Sequence, residues 1–297
     1  CADTPSGETV DSSGCSDSQK DTDGDGIADD LDNCPNSPEG GYVDEEGCAV
    51  VCNTTYNPTT ANIGNQIWTS SNVDITTYCD GTIIPQITLE YNTITGDLSK
   101  EWSELTTGAW IYARDCDCGA SYTFSTEEEE SFGKLYNWYA IAGIHDNDES
   151  TPNKQFAPVG WRVPTAADFD TLFMNNTGPA LRDSGSIEAG NGKWFESSNY
   201  APGTNESGFS AIPAGFLHGG SGTSPWGNMG FYAYFWTSSV GYVNQLEAIS
   251  WAVITASDDR NNEEENIETH NKFVLFTPAD NNRKNLGMSV RFVKDLE

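Results

Sequence analysis

The run Asp21-Thr22-Asp23-Gly24-Asp25-Gly26-Ile27-Ala28-Asp29-Asp30-Leu31-Asp32 carries the clearest chemistry in this chain. Read as a loop, it sets carboxylates at positions 1, 3, 5, 9 and 12, a glycine at 6 and the Ile27 carbonyl at 7. A calcium ion takes six to eight oxygen ligands, and a glycine at the sixth place lets the backbone wrap around it. The spacing therefore predicts a Ca2+ site made by Asp21, Asp23, Asp25, Ile27, Asp29 and Asp32. An acidic surface loop that binds nothing is the competing reading, and the ligand spacing argues against it. Such a site speaks of stability and location. It names no reaction.

The next residues, Asn33-Cys34-Pro35-Asn36-Ser37-Pro38-Glu39-Gly40 and Val43-Asp44-Glu45-Glu46-Gly47-Cys48, extend the pattern. Loop and extension together resemble a thrombospondin type-3 repeat of the kind found in bacterial envelope proteins. There the loop runs into a small closed turn, so the resemblance implies a Cys34–Cys48 disulfide. Closing a loop of roughly 15 residues is worth about 3 kcal/mol in the chain-entropy account. A segment so poor in apolar residues needs that help to offset its ordering entropy. A dockerin or EF-hand fits less well: the loop occurs once, ends in Asp32, and lacks amphipathic flanking helices.

Charge and cysteine count set the compartment. The formal net charge is −31 over 297 residues, with 45 acidic against 14 basic side chains. Such a chain repels nucleic acid and anionic membrane surfaces, while divalent cations relieve its self-repulsion. Eight cysteines, an even number, suit an oxidising, extracellular or outer-surface setting. No run of about 20 apolar residues is present to span a bilayer. Residues 1–20 read as an acidic, Ser-rich leader or tether. Cys1 is a candidate for lipidation, which would be the one membrane attachment, and a Cys1–Cys15 disulfide is the alternative. Cys52, Cys79, Cys116 and Cys118 allow three pairings that sequence cannot choose among. A Cys116–Cys118 ring would be small and strained, which favours crossed links.

These features need a scaffold. The calcium and disulfide module occupies 21–52, and from 53 aromatics, Gly and Asn rise. Short strand patterns stand between turn signals at Asn65–Trp68, Ala109–Tyr112, Phe235–Thr237, Ile249–Val253 and Ser289–Phe292. Two helices are expected, one over Lys134–Ile141 after Gly133 and one from an N-cap at Thr165 with Asp168 at N3. Residues 53–297 thus read as one α+β domain of short twisted strands and about two helices.

An ordered series of motifs sharpens this. It comprises Ile63-Gly-Asn-Gln-Ile-Trp68, Ile84-Pro85, Thr107-Gly-Ala-Trp110, Gly133-Lys-Leu-Tyr-Asn-Trp-Tyr139 and Pro158-Val-Gly-Trp-Arg-Val-Pro-Thr165. It continues with Asn205-Glu-Ser-Gly-Phe209, Pro213-Ala-Gly-Phe216, Phe235-Trp-Thr-Ser-Ser239 and Gly287-Met-Ser-Val-Arg-Phe292. Over about 60–295 the chain resembles the Fibrobacter succinogenes major paralogous domain, found on secreted and surface proteins of Bacteroidota and Fibrobacterota. The resemblance implies a C-type-lectin-like architecture related to formylglycine-generating enzymes. Those enzymes use a copper-binding cysteine pair late in their core, whereas residues 119–297 here hold no cysteine. Hydrolase motifs are missing too, and His145, His218 and His270 are widely spaced. The expectation is a protein without catalytic activity.

Three other acidic groups invite a metal reading: Glu127–Glu130, His145–Glu149 and Asp258–Glu268. None has alternating ligand spacing, and charge runs are usually solvated loops. Trp138, Trp161, Trp194, Trp226, Trp236 and Trp251 either stack on sugars or fill a core. Trp138, Trp161 and Trp236 lie inside the motifs and read as core. His218, Trp226 and Asn228, in the Gly-rich run 217–228, are the candidates for a ligand-binding loop. Two functions follow as expectations. One is adhesion or self-assembly at the cell surface, with the chain as a filament subunit. The other is a glycan-binding module of a surface lipoprotein.

Overall fold

The computed structural model describes residues 1, 4–37, 43, 46–48, 56–88, 102–114, 125–148, 150–196, 202–217, 226–243, 246–255, 272–276 and 284–296. The stretch before residue 38 is held by turns, carboxylate–amide bonds and disulfides, with one 3-10 turn at Asp17–Gln19. Ser16 caps that turn and is buried, so the expected leader is folded where it is described.

Beyond it the chain builds β1 (Thr60–Ile63), β2 (Gln66–Thr69), β3 (Trp110–Tyr112), α1 (Thr126–Glu130), β4 (Lys134–Tyr136) and α2 (Trp138–Ile141). Then come α3 (Ala166–Asn175), α4 (Gly178–Leu181), β5 (Phe216–Leu217), β6 (Trp226–Gly227), β7 (Tyr232–Val243), β8 (Leu246–Thr255), β9 (Lys272–Phe276) and β10 (Val293–Asp295). The sheets are small and antiparallel: β1-β2-β10, β3-β4, β5-β6 and β7-β8-β9. The fold is a mixed α/β one with few, short helices.

One expected helix is corrected. Lys134–Tyr136 is strand β4, paired in register with Trp110–Tyr112, and only Trp138–Ile141 is helical. Asn137 makes the switch. Its side-chain oxygen accepts from Ala140 N–H as an N-cap and from Ala109 N–H, while its amide donates to the Thr107 carbonyl. An N-cap inside the helical pattern starts the helix there, and the residues before it stay extended. The other expected helix forms as α3, with the Thr165 and Asp168 capping box in place.

Ser289–Phe292 is extended but joins no named strand. The run from Gly287 instead passes between elements: Gly287 bridges Leu217, Met288 bridges Tyr136, Ser289 bridges Phe235, and Val293 enters the sheet beside Trp68. Large apolar residues pack on both sides of this run. Tyr136, Phe156, Trp236, Val290 and Phe292 form one cluster, and Trp68, Phe169, Trp194, Phe209 and Phe235 form another. Trp138 and Trp236 are buried, Trp161 is half-buried, and Trp194 is core rather than a sugar platform.

Candidate functional site

The aspartate loop is shaped by its own carboxylates. Asp21 accepts from Gly24 N–H at 2.8 Å and Gly26 N–H at 2.9 Å, one bond per oxygen, which curls the chain back on itself. Gly24 and Gly26 take φ of +78° and +99°, a region that suits glycine. Asp25 accepts from Ile27 N–H at 2.9 Å. Asp23 accepts from the backbone N–H of Ser37 at 2.6 Å, which fixes the loop against the turn that follows.

The result brings Asp21, Asp23 and Asp25 together, with one carboxylate oxygen from each lying within 4.8 Å of the others. Asp23 Oδ1 and Asp25 Oδ2 are buried and have no hydrogen-bond partner among the described residues. Buried carboxylate oxygens without partners are costly, and a divalent cation would satisfy them. Three clustered carboxylates are a hard-oxygen set. The residues present fit such an ion.

Two predicted ligands, Asp29 and Asp32, lie outside this three-residue cluster. Asp29 accepts from Thr22 N–H and Thr22 Oγ1, both at 2.7 Å, and sits 3.9 Å from the Lys20 ammonium. Asp32 accepts from Cys34 N–H at 2.7 Å and lies against Gly47. Ile27 is half-buried, and its carbonyl receives no hydrogen bond among the described residues. Disulfides join Cys34 to Cys48 and Cys1 to Cys15. The Cys1–Cys15 bridge is the alternative to lipidation that the sequence left open. Cys79 is disulfide-bonded, while Cys52, Cys116 and Cys118 lie outside the described residues.

The remaining acidic groups gather no comparable cluster among the described residues. Glu127, Glu128 and Glu129 occupy the first turn of α1, where Ser125 and Glu128 form a capping box. Acidic side chains at a helix N-terminus are favoured by its dipole. His145 pairs with Asp146 at 3.3 Å, and Asp148 accepts from Ser150. Asp258–Glu268 and His218 lie outside the described residues.

In the candidate loop, Trp226 pairs through its backbone with Leu217. Asn228 is exposed at φ +65°, and its side-chain amide donates to the Tyr234 hydroxyl at 2.9 Å. Tyr234 stacks on Tyr232 with centroids 5.8 Å apart and meets Phe216 edge-on at 5.1 Å. Burial pushes the Tyr234 hydroxyl up to about 12, so it stays protonated near neutral pH. A polar tip beside a row of half-buried rings is the arrangement here.

Sequence reasoning missed the polar groups that hold the motifs together. Arg291 is fully buried and donates to the carbonyls of Thr69 and Phe209 at 2.7 Å each, to Ser210 at 2.7 Å and to Asn72 at 3.0 Å. No carboxylate pairs with it among the described residues, and burial pulls it down to about 9, still charged at neutral pH. Arg162 grips Asp168 with both terminal nitrogens, and Gln66 and Thr165 donate to the same carboxylate. Burial opposes ionisation of Asp168, but these donors outweigh it and hold it at about 2. A lone arginine within an apolar motif was the one available signal.

With this geometry in hand, residues 61–294 match the family model described as Fibrobacter succinogenes major domain, and residues 13–41 match that of the thrombospondin type 3 repeat. No curated protein matches the chain, and no solved structure does.

Proposed function

Because the chain belongs to the Fibrobacter succinogenes major domain family, we propose that it is a calcium-stabilised extracellular surface protein with no catalytic role, acting in adhesion or self-assembly as a filament subunit. The observation that carries this is the Asp21, Asp23 and Asp25 cluster with its two buried oxygens that have no partner among the described residues, set between two disulfide-closed rings. The match to a thrombospondin type 3 repeat adds support, and the disulfides suit an extracellular or surface location. Bound calcium would neutralise carboxylates that otherwise repel one another in a segment with 14 acids and one lysine in its first 50 residues. For the domain we extend the family likeness to a C-type-lectin-like architecture, which its small antiparallel sheets and short helices support.

Light scattering after size-exclusion chromatography, in calcium and then in chelator, tests the assembly. Large particles that disperse on chelation support it. A monomer in both conditions rejects it.

A second reading is a glycan-binding surface at Asn228, Tyr232, Tyr234 and Phe216. It is favoured by the Asn228–Tyr234 bond beside stacked rings, since sugars pair aromatic faces with amide hydrogen bonds. A glycan array, followed by Tyr232→Ala, checks it: an array without hits, or binding unchanged by the substitution, removes this surface as the site.

A further inference from the structure

The sheet β1-β2-β10 has two edges, and they are finished differently. At the β10 edge, Val293 exchanges backbone bonds with Arg162 at 2.9 and 3.0 Å. Lys294 and Asp295 follow on that strand, the lysine over the Trp161 ring and the aspartate 3.3 Å from Arg162. Charges and covering segments are how proteins keep sheet edges from pairing with other chains. The β1 edge is finished with none of these. Its sequence, Thr60-Ala61-Asn62-Ile63, holds no charge and no proline, and it pairs with β2 in unbroken register without a bulge.

The hydrogen-bond pattern shows which groups that edge presents. Ser70 N–H donates to the Thr59 carbonyl at 2.8 Å, while Thr69 N–H turns away from β1 to the Phe292 carbonyl at 3.0 Å. Antiparallel pairs alternate, so Ala61 and Ile63 bond to β2, and the N–H and C=O groups of Thr60 and Asn62 point outward. Nothing bonds to those groups among the described residues, and both residues are exposed. Charge favours the same place. The chain carries a net −31, yet no acidic or basic residue occurs from Gly47 to Val73. Two copies carrying that charge repel each other, and an uncharged strand lets them approach.

We infer that the outer edge of β1 is an interface between two copies of this chain, paired antiparallel about a two-fold axis at Ala61. The edge is its own complement. Turned about that axis, Thr60 faces the partner's Asn62 and Asn62 faces the partner's Thr60, each pair exchanging N–H···O bonds. The continuous sheet so formed ends on both sides in the charged β10 strand. A contact centred on a strand of 4 residues is small, so the pair is weak and reversible. This deepens the self-assembly reading, on which it rests, but it needs no calcium, and a two-fold contact closes at a pair.

The test follows amide hydrogen exchange and light scattering on the full chain between about 10 μM and 1 mM, the range of a weak contact. In dilute protein, Thr60 and Asn62 should exchange fast, and Ala61 and Ile63 slowly. As the mass rises toward a pair, Thr60 and Asn62 should slow by about tenfold or more, the effect of newly protected hydrogen bonds, with Ala61 and Ile63 unchanged. Asn62→Pro removes an outward N–H without touching the β2 pairing and should hold the chain monomeric. Asn62→Thr keeps that N–H and should keep the pair. Association in which Thr60 and Asn62 still exchange fast overturns the β1 interface and leaves self-assembly to another surface. A monomer at every concentration overturns both. Absence of large particles in calcium, with Thr60 and Asn62 still slowed at high concentration, removes the filament and supports the pair.

Discussion

The backbone N–H of Ser37 donates to the carboxylate of Asp23 across 2.6 Å, so one side chain belongs to both the aspartate cluster and the disulfide-closed turn. Asp23 keeps its other oxygen buried beside Asp25, without a partner among the described residues. Were an ion to fill the cluster, ordering it and seating the turn would be one event. Filling the site should stabilise the turn, and emptying it should loosen Ser37.

Asp25 separates these roles, because it is bonded within the loop to Ile27 N–H and not to the turn. Asp25→Asn removes a ligand charge and should weaken calcium binding by about tenfold or more. The Ser37 amide should stay protected at saturating calcium. Calorimetry paired with hydrogen exchange reads both, and an unchanged affinity would move the ion away from this cluster.

Arg291 should matter more to stability than any exposed charge. Arg291→Met removes the cation and strands the Thr69, Phe209 and Ser210 carbonyls and Asn72 Oδ1 in the core. Breaking a buried charged network from one side costs about 3–5 kcal/mol. Urea unfolding of the two proteins measures it. A loss under about 1 kcal/mol would mean that water or repacking satisfies those carbonyls.

Asp168 should give the domain an acid limb. Its native value of about 2 lies below the ordinary carboxylate value, so its contribution is present above about pH 4 and is lost as pH falls from there to 2. The Arg162 side chain is 38% exposed, and solvent screening trims the contribution to about 1–2 kcal/mol. Asp168→Asn should lower the melting temperature at pH 7 and flatten the pH 4 to 2 decline. Parallel curves for both proteins would contradict this.

The N-terminal bridge is directly checkable. Non-reducing peptide mapping of protein from its native host should recover a peptide joining Cys1 to Cys15, lighter by two hydrogens than the reduced pair. A Cys1 peptide carrying acyl mass, with Cys15 free, would restore the lipid anchor.

Much was legible in the residues themselves. Alternating aspartates around glycines specify a loop locally, because Asp21 reaches Gly24 and Gly26 within a few residues of itself. The Thr165 and Asp168 helix start is local in the same way. Spacing also named Asp29 and Asp32, which lie outside the three-carboxylate cluster. Asp29 turns to Thr22 and Lys20, and Asp32 to Cys34 and Gly47, neighbours that only the folded turn supplies. The strand at Lys134–Tyr136 needed Trp110–Tyr112 beside it, and the role of Arg291 needed Thr69, Phe209 and Ser210, far off in sequence. Short-range hydrogen bonds are written in the order of residues. Long-range pairing and burial are settled only when distant segments meet, and there the tertiary structure decided which aspartates cluster and which charge the core would hold.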